Sequence, residues 1–184
     1  MSKLPAAELC HFGLYAHDLE RMVDFYTRAF GLVVTDRGRS PRGFDIAFLS
    51  GRPDEHHQLA IAAGRPKEAT FSTINQVSFR LGSLDDLKRY HEWLVNERVR
   101  DLEARNHGNA WSVYFSDPEG NRMEVYCPTP WYVSQPFGEP LDLSQSSDAI
   151  LAKTETMVRQ DPTCQPLSEW SAGMRKRLHD VGQA

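Results

Sequence analysis

The chain has 184 residues, enough for one domain or two small modules sharing a core. A net charge of −4 and a pI near 6.0 give no attraction to nucleic acid or anionic lipid, and no stretch has the ~18 consecutive apolar residues of a membrane span, so small molecules or other proteins remain as partners. Three cysteines, Cys10, Cys127 and Cys164, show no zinc spacing and fit a reducing cytoplasm, while the N-terminal MSKLPAAELC lacks the basic-then-apolar form of a signal peptide.

Leu9 to Ala16 alternates, with Cys10, Phe12, Leu14 and Ala16 on one face and His11, Gly13 and Tyr15 on the other, which reads as a strand. Asp18 then caps a helix whose Met22, Val23, Tyr26, Ala29 and Phe30 recur at helical spacing, and Gly31 stops it. Three strands follow, at Leu32 to Thr35, Phe44 to Leu49 and His56 to Ala62. The first two are joined by DRGRSPRG, whose Arg37, Arg39 and Arg42 either meet an anion or, in the commoner case, dress a solvated loop.

After a connection at Gly64 to Ser72 the pattern restarts. Ile74 to Leu81 reads as a strand with Gln76, Ser78 and Arg80 on one face, and Ser83 with Asp86 forms a variant capping box that opens a helix of Leu84, Leu87, Leu94 and Val95. A short strand near Arg100 to Ala104 precedes Ala110 to Ser116 and Asn121 to Cys127, which Asp117-Pro-Glu-Gly-Asn121 joins as a tight hairpin. Each half is therefore strand, helix, three strands, with modules at about 7–63 and 73–128 in a domain spanning 1–128.

Beyond Pro128 the composition changes. PTPWYVSQPFGEPLDL reads as an extended arm, followed by helices at about Ser147 to Gln160 and Leu167 to His179, so that 129–184 forms a C-terminal arm. Trp131, Tyr132, Phe137 and Trp170 are too apolar for a free tail and are expected to pack on the domain or on a second subunit.

The repeat singles out a few side chains. His11 stands seven residues before Asp18, Gln76 stands seven before Ser83, and the two lie 65 residues apart. The same offset brings the strand around Leu59 onto Glu124. An imidazole, an amide oxygen and a carboxylate at repeat-related places would make a three-ligand site for a divalent first-row metal, with coordination positions left open for catalysis. The first-half counterpart of Glu124 at this offset is Leu59, which cannot bind metal, so the site is expected to be asymmetric and shared by the two halves.

The βαβββ repeat, CHFGLYAHDLERMVDFYTRAFGL and HGNAWSVYFSDPEGNRMEVY together resemble the vicinal oxygen chelate superfamily of glyoxalases, fosfomycin and bleomycin resistance proteins and type I extradiol dioxygenases. The resemblance spans roughly Leu9 to Trp131 and implies an α+β fold of two βαβββ modules in a half-open curved barrel, as a homodimer. It assigns His11 and Glu124 as metal ligands, with Gln76 at the place where extradiol enzymes carry a histidine and where glyoxalase I uses glutamine. Asp54-Glu-His-His57-Gln-Leu-Ala60 is similar to the segment that supplies the extradiol acid–base histidine, and matches it with His57. His107 and Tyr114 look like the substrate-side pair. The implied activity is a metal-dependent ring cleavage of a catechol-like substrate with O2, using Fe(II). The alternatives are a Lewis-acid lyase, isomerase or thiol transferase using Mn, Zn, Ni or Co, and a metal-free binding or resistance protein.

Overall fold

The computed structural model describes residues 7–180; residues 1–6, which carry most of the segment read for a signal peptide, and 181–184 lie outside the described part. The element order is β1 (Phe12–Ala16), α1 (Leu19–Phe30), β2 (Val33–Arg39), β3 (Asp45–Ser50) and β4 (Leu59–Ala63), then β5 (Val77–Arg80), α2 (Leu84–Asn96), β6 (Glu103–Asn106), β7 (Ala110–Ser116) and β8 (Arg122–Pro128). The C-terminal part adds β9 (Trp131–Tyr132), β10 (Glu139–Pro140), α3 (Ser147–Val158), β11 (Gln165–Pro166) and α4 (Leu167–Asp180). This is an α+β fold with a duplicated βαβββ module. Among the described residues no helix is long and apolar enough to cross a membrane.

The chain divides into two compact units. The first contains Ala7–Asn75 together with the turn Asp117–Asn121, and the second contains Gln76–Ser116 and everything from Arg122 onward. Their sheets obey one rule. The first has the order β1-β4-β3-β2 and the second β5-β8-β7-β6, with β10 added outside β6, and in each the first strand of the module lies parallel to the last. Parallel strands need a long crossover between them, and α1 and α2 begin those crossovers.

Local chemistry explains the helices. Asp18 Oδ1 accepts the Arg21 N–H at 3.0 Å, and Gly31 closes α1 in the left-handed conformation at φ 64°, which a Cβ would disfavour. Met22, Val23, Phe25, Tyr26 and Ala29 form the buried stripe of α1, which packs on β3 and β4. Burying each large side chain in such a stripe stabilises by about 1.5–3 kcal/mol. In α2 the Ser83 hydroxyl accepts the Asp86 N–H at 3.1 Å and donates to Asp86 Oδ2 at 2.7 Å, a reciprocal cap closed through the hydroxyl. Leu84, Leu87 and Leu94 are buried there, but Val95, expected inside, is half-exposed because it turns off the buried stripe.

The strands begin and end where partners allow. β1 starts at Phe12, not Leu9, because the ladder with β4 opens at Phe12 opposite Leu59; Leu9 is 90% exposed. For the same reason His56 and His57 precede β4 in a loop, so strand parity does not govern where they point. β2 runs to Arg39, well beyond Thr35, and pairs with β3 as far as Arg39 opposite Asp45 after a register shift at Val34/Asp36. Arg37 and Arg39 are therefore edge-strand residues engaged with Glu20 and Asp45, and only Arg42 lies in the connecting loop. A charged edge of this kind resists further strand pairing.

The parallel ladders also correct the repeat. Gly13 faces Ala60 in the first sheet, and its counterpart Ser78 faces Glu124 in the second. The first-half equivalent of Glu124 is therefore Ala60, because the offset shortens by one residue before the last strand. Leu59 belongs instead to the buried face, with no exposed surface. Ala60 cannot bind metal either, so the asymmetry holds on a different residue.

Candidate functional site

In the first unit, His11 sits immediately before β1 and is exposed. Its ring lies 4.4 Å from that of His57, centroid to centroid, and His57 also packs edge-on against Phe48 at 4.9 Å. Behind His57 stands a short relay. His57 Nδ1 is 2.9 Å from His56 Nδ1, and His56 Nε2 is 2.8 Å from Asp36 Oδ2. A carboxylate only accepts, so Nε2 of His56 carries its proton and Nδ1 offers a lone pair to the N–H of His57. That leaves Nε2 of His57 as the open basic atom. Partial burial, then the neighbouring His11 and His56, hold the His57 pKa below the usual imidazole value, which favours the neutral base.

In the second unit, Glu124 projects from the middle of β8 and is only 7% exposed. Its Oε2 accepts from Gln76 Nε2 at 2.9 Å and from the Ser78 hydroxyl in a short hydrogen bond. Gln76 stands immediately before β5 and Ser78 within it, and both donate to the same carboxylate oxygen. Gln76 also donates to Ser78 Oγ at 3.2 Å, which leaves its amide oxygen outside this network. Among the described residues no cationic side chain pairs with Glu124.

Tyr114 lies opposite Glu124 in the β7–β8 ladder and is buried. Its hydroxyl is 2.9 Å from His107 Nε2, while His107 Nδ1 is 2.6 Å from the carbonyl oxygen of Phe137. A carbonyl cannot donate, so Nδ1 of His107 bears the proton and Nε2 accepts from Tyr114 in the neutral imidazole. Burial, reinforced by Glu124, pushes the Tyr114 hydroxyl up to about 12, which keeps it a proton donor. Gly108 makes the His107 turn possible. At φ 71° it is left-handed, and a Cβ there would come within 2.5 Å of Val133 on the arm.

The second unit thus holds two hydrogen-bonded pairs, Gln76 with Glu124 and His107 with Tyr114, with Glu124 and Tyr114 opposite each other in the ladder, and the first unit brings His11 and His57 into contact. Ser78, His56, Asp36 and the Phe137 carbonyl complete these arrangements and were not among the residues expected. Among the described residues no three His, Cys, Asp or Glu side chains converge as a ready metal cage. The donor set still fits a divalent metal in one respect: Glu124 is a buried carboxylate without a cation, held by neutral groups that a metal could displace or share.

A family model described as the Glyoxalase/Bleomycin resistance protein/Dioxygenase superfamily matches residues 8–125. Biphenyl-2,3-diol 1,2-dioxygenase 2 of Rhodococcus globerulus is 24% identical over 164 residues, covering 80% of this chain and 83% of its own. The metallothiol transferase FosB of Lysinibacillus sphaericus (strain C3-41) is 26% identical over 121 residues, covering 65% and 81%. A metapyrocatechase of Geobacillus stearothermophilus is 26% identical over 139 residues, of which the chain spans only 37% of that relative's length. Among solved structures, a variant of the fosfomycin resistance protein FosX from Listeria monocytogenes, complexed with Mn(II) and a dihydroxypropylphosphonic acid, aligns with a TM-score of 0.53 at 18% identity, covering 66% of this chain and 92% of its own. A glyoxylase/bleomycin resistance protein/dioxygenase domain from Frankia sp. EAN1pec aligns with a TM-score of 0.55 at 19% identity, covering 67% and 98%. At these identities the solved structures speak to the fold alone.

Proposed function

We propose that this chain, which belongs to the glyoxalase/bleomycin resistance protein/dioxygenase superfamily, is a metal-dependent enzyme that cleaves the ring of a catechol-type substrate with O2, with His11, Gln76 and Glu124 as the metal-binding side chains. The observation that carries the reading is the Tyr114 hydroxyl held between His107 and the strand position of the buried Glu124. A diol needs two things beside a metal: a base to remove a phenolic proton, and donors that hold its oxygens. His57 supplies the first through its open Nε2. Tyr114 supplies the second by turning its hydroxyl proton from His107 Nε2 to a substrate oxygen, and the Phe137 carbonyl keeps His107 in one tautomer. A bound divalent metal would supply Lewis acidity and, as Fe(II), the electron transfer that O2 requires. The relatives named as dioxygenases support the reaction class, and one of them is matched over 80% of the chain.

A second reading is favoured by Gln76. An amide oxygen is a harder, weaker donor than imidazole, which suits a Lewis-acid metal, and one relative is named a metallothiol transferase. The discriminating experiment is anaerobic reconstitution with Fe(II), followed by a panel of catechols and air, read as the yellow absorbance of a ring-opened semialdehyde. Colour that disappears in Glu124→Ala, together with at least a tenfold loss of retained iron, is the expected result. Retained iron with no colour selects the Lewis-acid reading, and no iron retention overturns both.

A further inference from the structure

A cavity of about 660 Å³ in the second unit is bordered by Glu103, Arg105, His107, Tyr114 and Arg122, with Gln135–Gly138 of the arm on its remaining side. Its charges do not cancel. Arg105 takes Glu103 Oε1 with two bonds, at 2.8 and 2.5 Å, and holds that carboxyl below the usual carboxylate range. Arg122 reaches the other oxygen only at 3.4 Å, longer than a good N–H···O bond. What positions Arg122 is the Tyr114 ring, over which its Cζ lies 4.3 Å from the centre. A cation held over an aromatic ring spends none of its N–H donors on in-plane acceptors there, so Arg122 keeps most of its five donors for something else.

We infer that this cavity selects substrates carrying a carboxylate, with Arg122 as the group that binds it. The inference rests on the proposed function for the diol end of the substrate, and on Arg122 for the other end. Two guanidinium groups against one carboxylate leave a single positive charge, which matches a monoanion; a dianion would also face Glu103. A carboxylate in a charge-assisted fork with Arg122 sets the rest of an aromatic ring beside Tyr114, whose hydroxyl is already assigned to a substrate oxygen, and His107. Arg122 is thus a specificity residue that takes no part in the chemistry.

The test is titration calorimetry on the full-length protein with three probes: 3,4-dihydroxybenzoate, its methyl ester, and benzoate. The acid should bind about tenfold more tightly than the ester. Arg122→Met, whose chain still covers the Tyr114 ring, should remove that difference by weakening the acid about tenfold more than the ester. Benzoate has no diol and reports on the anion site alone, so Arg122-dependent benzoate binding in a protein that cleaves no catechol would sustain this inference while the dioxygenase reading falls. Equal binding of acid and ester, a preference that survives Arg122→Met, or no binding of any probe would overturn it.

Discussion

The two βαβββ units share strand order and parallel pairing, yet each is completed by a segment from outside its own module. The first unit borrows the turn Asp117–Asn121. Glu119 Oε1 accepts the N–H groups of His17 and Asp18 at 2.8 and 2.9 Å, and its other oxygen is 3.4 Å from Arg65 Nη1, with both side chains nearly buried. In a sequence-local capping box, a Glu three residues into the helix would satisfy the cap's own N–H; α1 has Arg21 there, and Glu119 does the work from 101 residues away. The second unit borrows the C-terminal arm. Thr154 of α3 is fully buried, accepts from Asn106 Nδ2 at 2.8 Å and Trp111 Nε1 at 2.9 Å, and donates to the Ile150 carbonyl. Asn106 in turn accepts the Gly108 N–H at 2.9 Å, which fixes the turn carrying His107. Each copy of the module is therefore a frame some of whose polar groups are satisfied by residues from outside that copy.

The comparison breaks if these borrowed groups prove dispensable. Glu119→Ala leaves Arg65 buried without its partner and two helix-entry N–H groups unpaired, and should cost about 4 kcal/mol of stability, measured by urea unfolding. Adding Arg65→Met to that variant should recover roughly half, since a neutral side chain needs no partner. A loss under about 1 kcal/mol in the single variant would show that the turn is a passive neighbour. Thr154→Val keeps the shape and removes the hydroxyl, orphaning the donors of Asn106 and Trp111. It should cost about 2 kcal/mol, with the amide protons around Gly108 exchanging faster than those of β8. Uniform loosening of both would mean that Thr154 supports the core in general and not the His107 turn.

Much of this frame was legible because its signals are local. Asp18 with Gly31, Ser83 with Asp86, and Asp117-Pro-Glu-Gly-Asn121 each write a cap or a turn within a few residues, and α1 begins and ends, and α2 begins, where those signals put them. The starts of β1 and β5 were not legible, because a strand begins where a partner begins: Phe12 waits on Leu59, and Val77 on Met123. That dependence also hid the one-residue slip that makes Ala60, and not Leu59, the counterpart of Glu124. Ser78 could have been read from its place two residues after Gln76 on the same face. The Phe137 carbonyl could not, since every residue but its position in space offers the same backbone oxygen. Asp36 was hidden by the reading of its segment as a loop, when it stands in β2, 20 residues from His56.

The same contrast between a backbone anchor and a side-chain anchor separates His57 and His107, the two histidines proposed to serve the substrate. His107 is set by a carbonyl that substitution cannot convert to a donor, whereas His57 is set through His56 by Asp36, a pair whose side chains are 56% and 69% exposed. An exposed side-chain pair of this kind contributes about 0–1 kcal/mol, so Asp36→Asn should leave unfolding within about 0.5 kcal/mol of the parent. Its effect should be on proton placement. The asparagine amide can donate to His56 Nε2, which moves the His56 proton to Nδ1 and forces His57 to carry its own on Nε2, closing the atom proposed as base. Long-range 1H–15N correlation spectra of the metal-free protein read this directly: His57 should be protonated at Nδ1 in the parent and populate the Nε2 tautomer in the variant, while His107 stays protonated at Nδ1 in both. If the His57 tautomer does not respond, Asp36 and His56 are surface residues with no hold on the base; if His107 shifts as well, the two anchors are not the independent devices that their chemistry makes them.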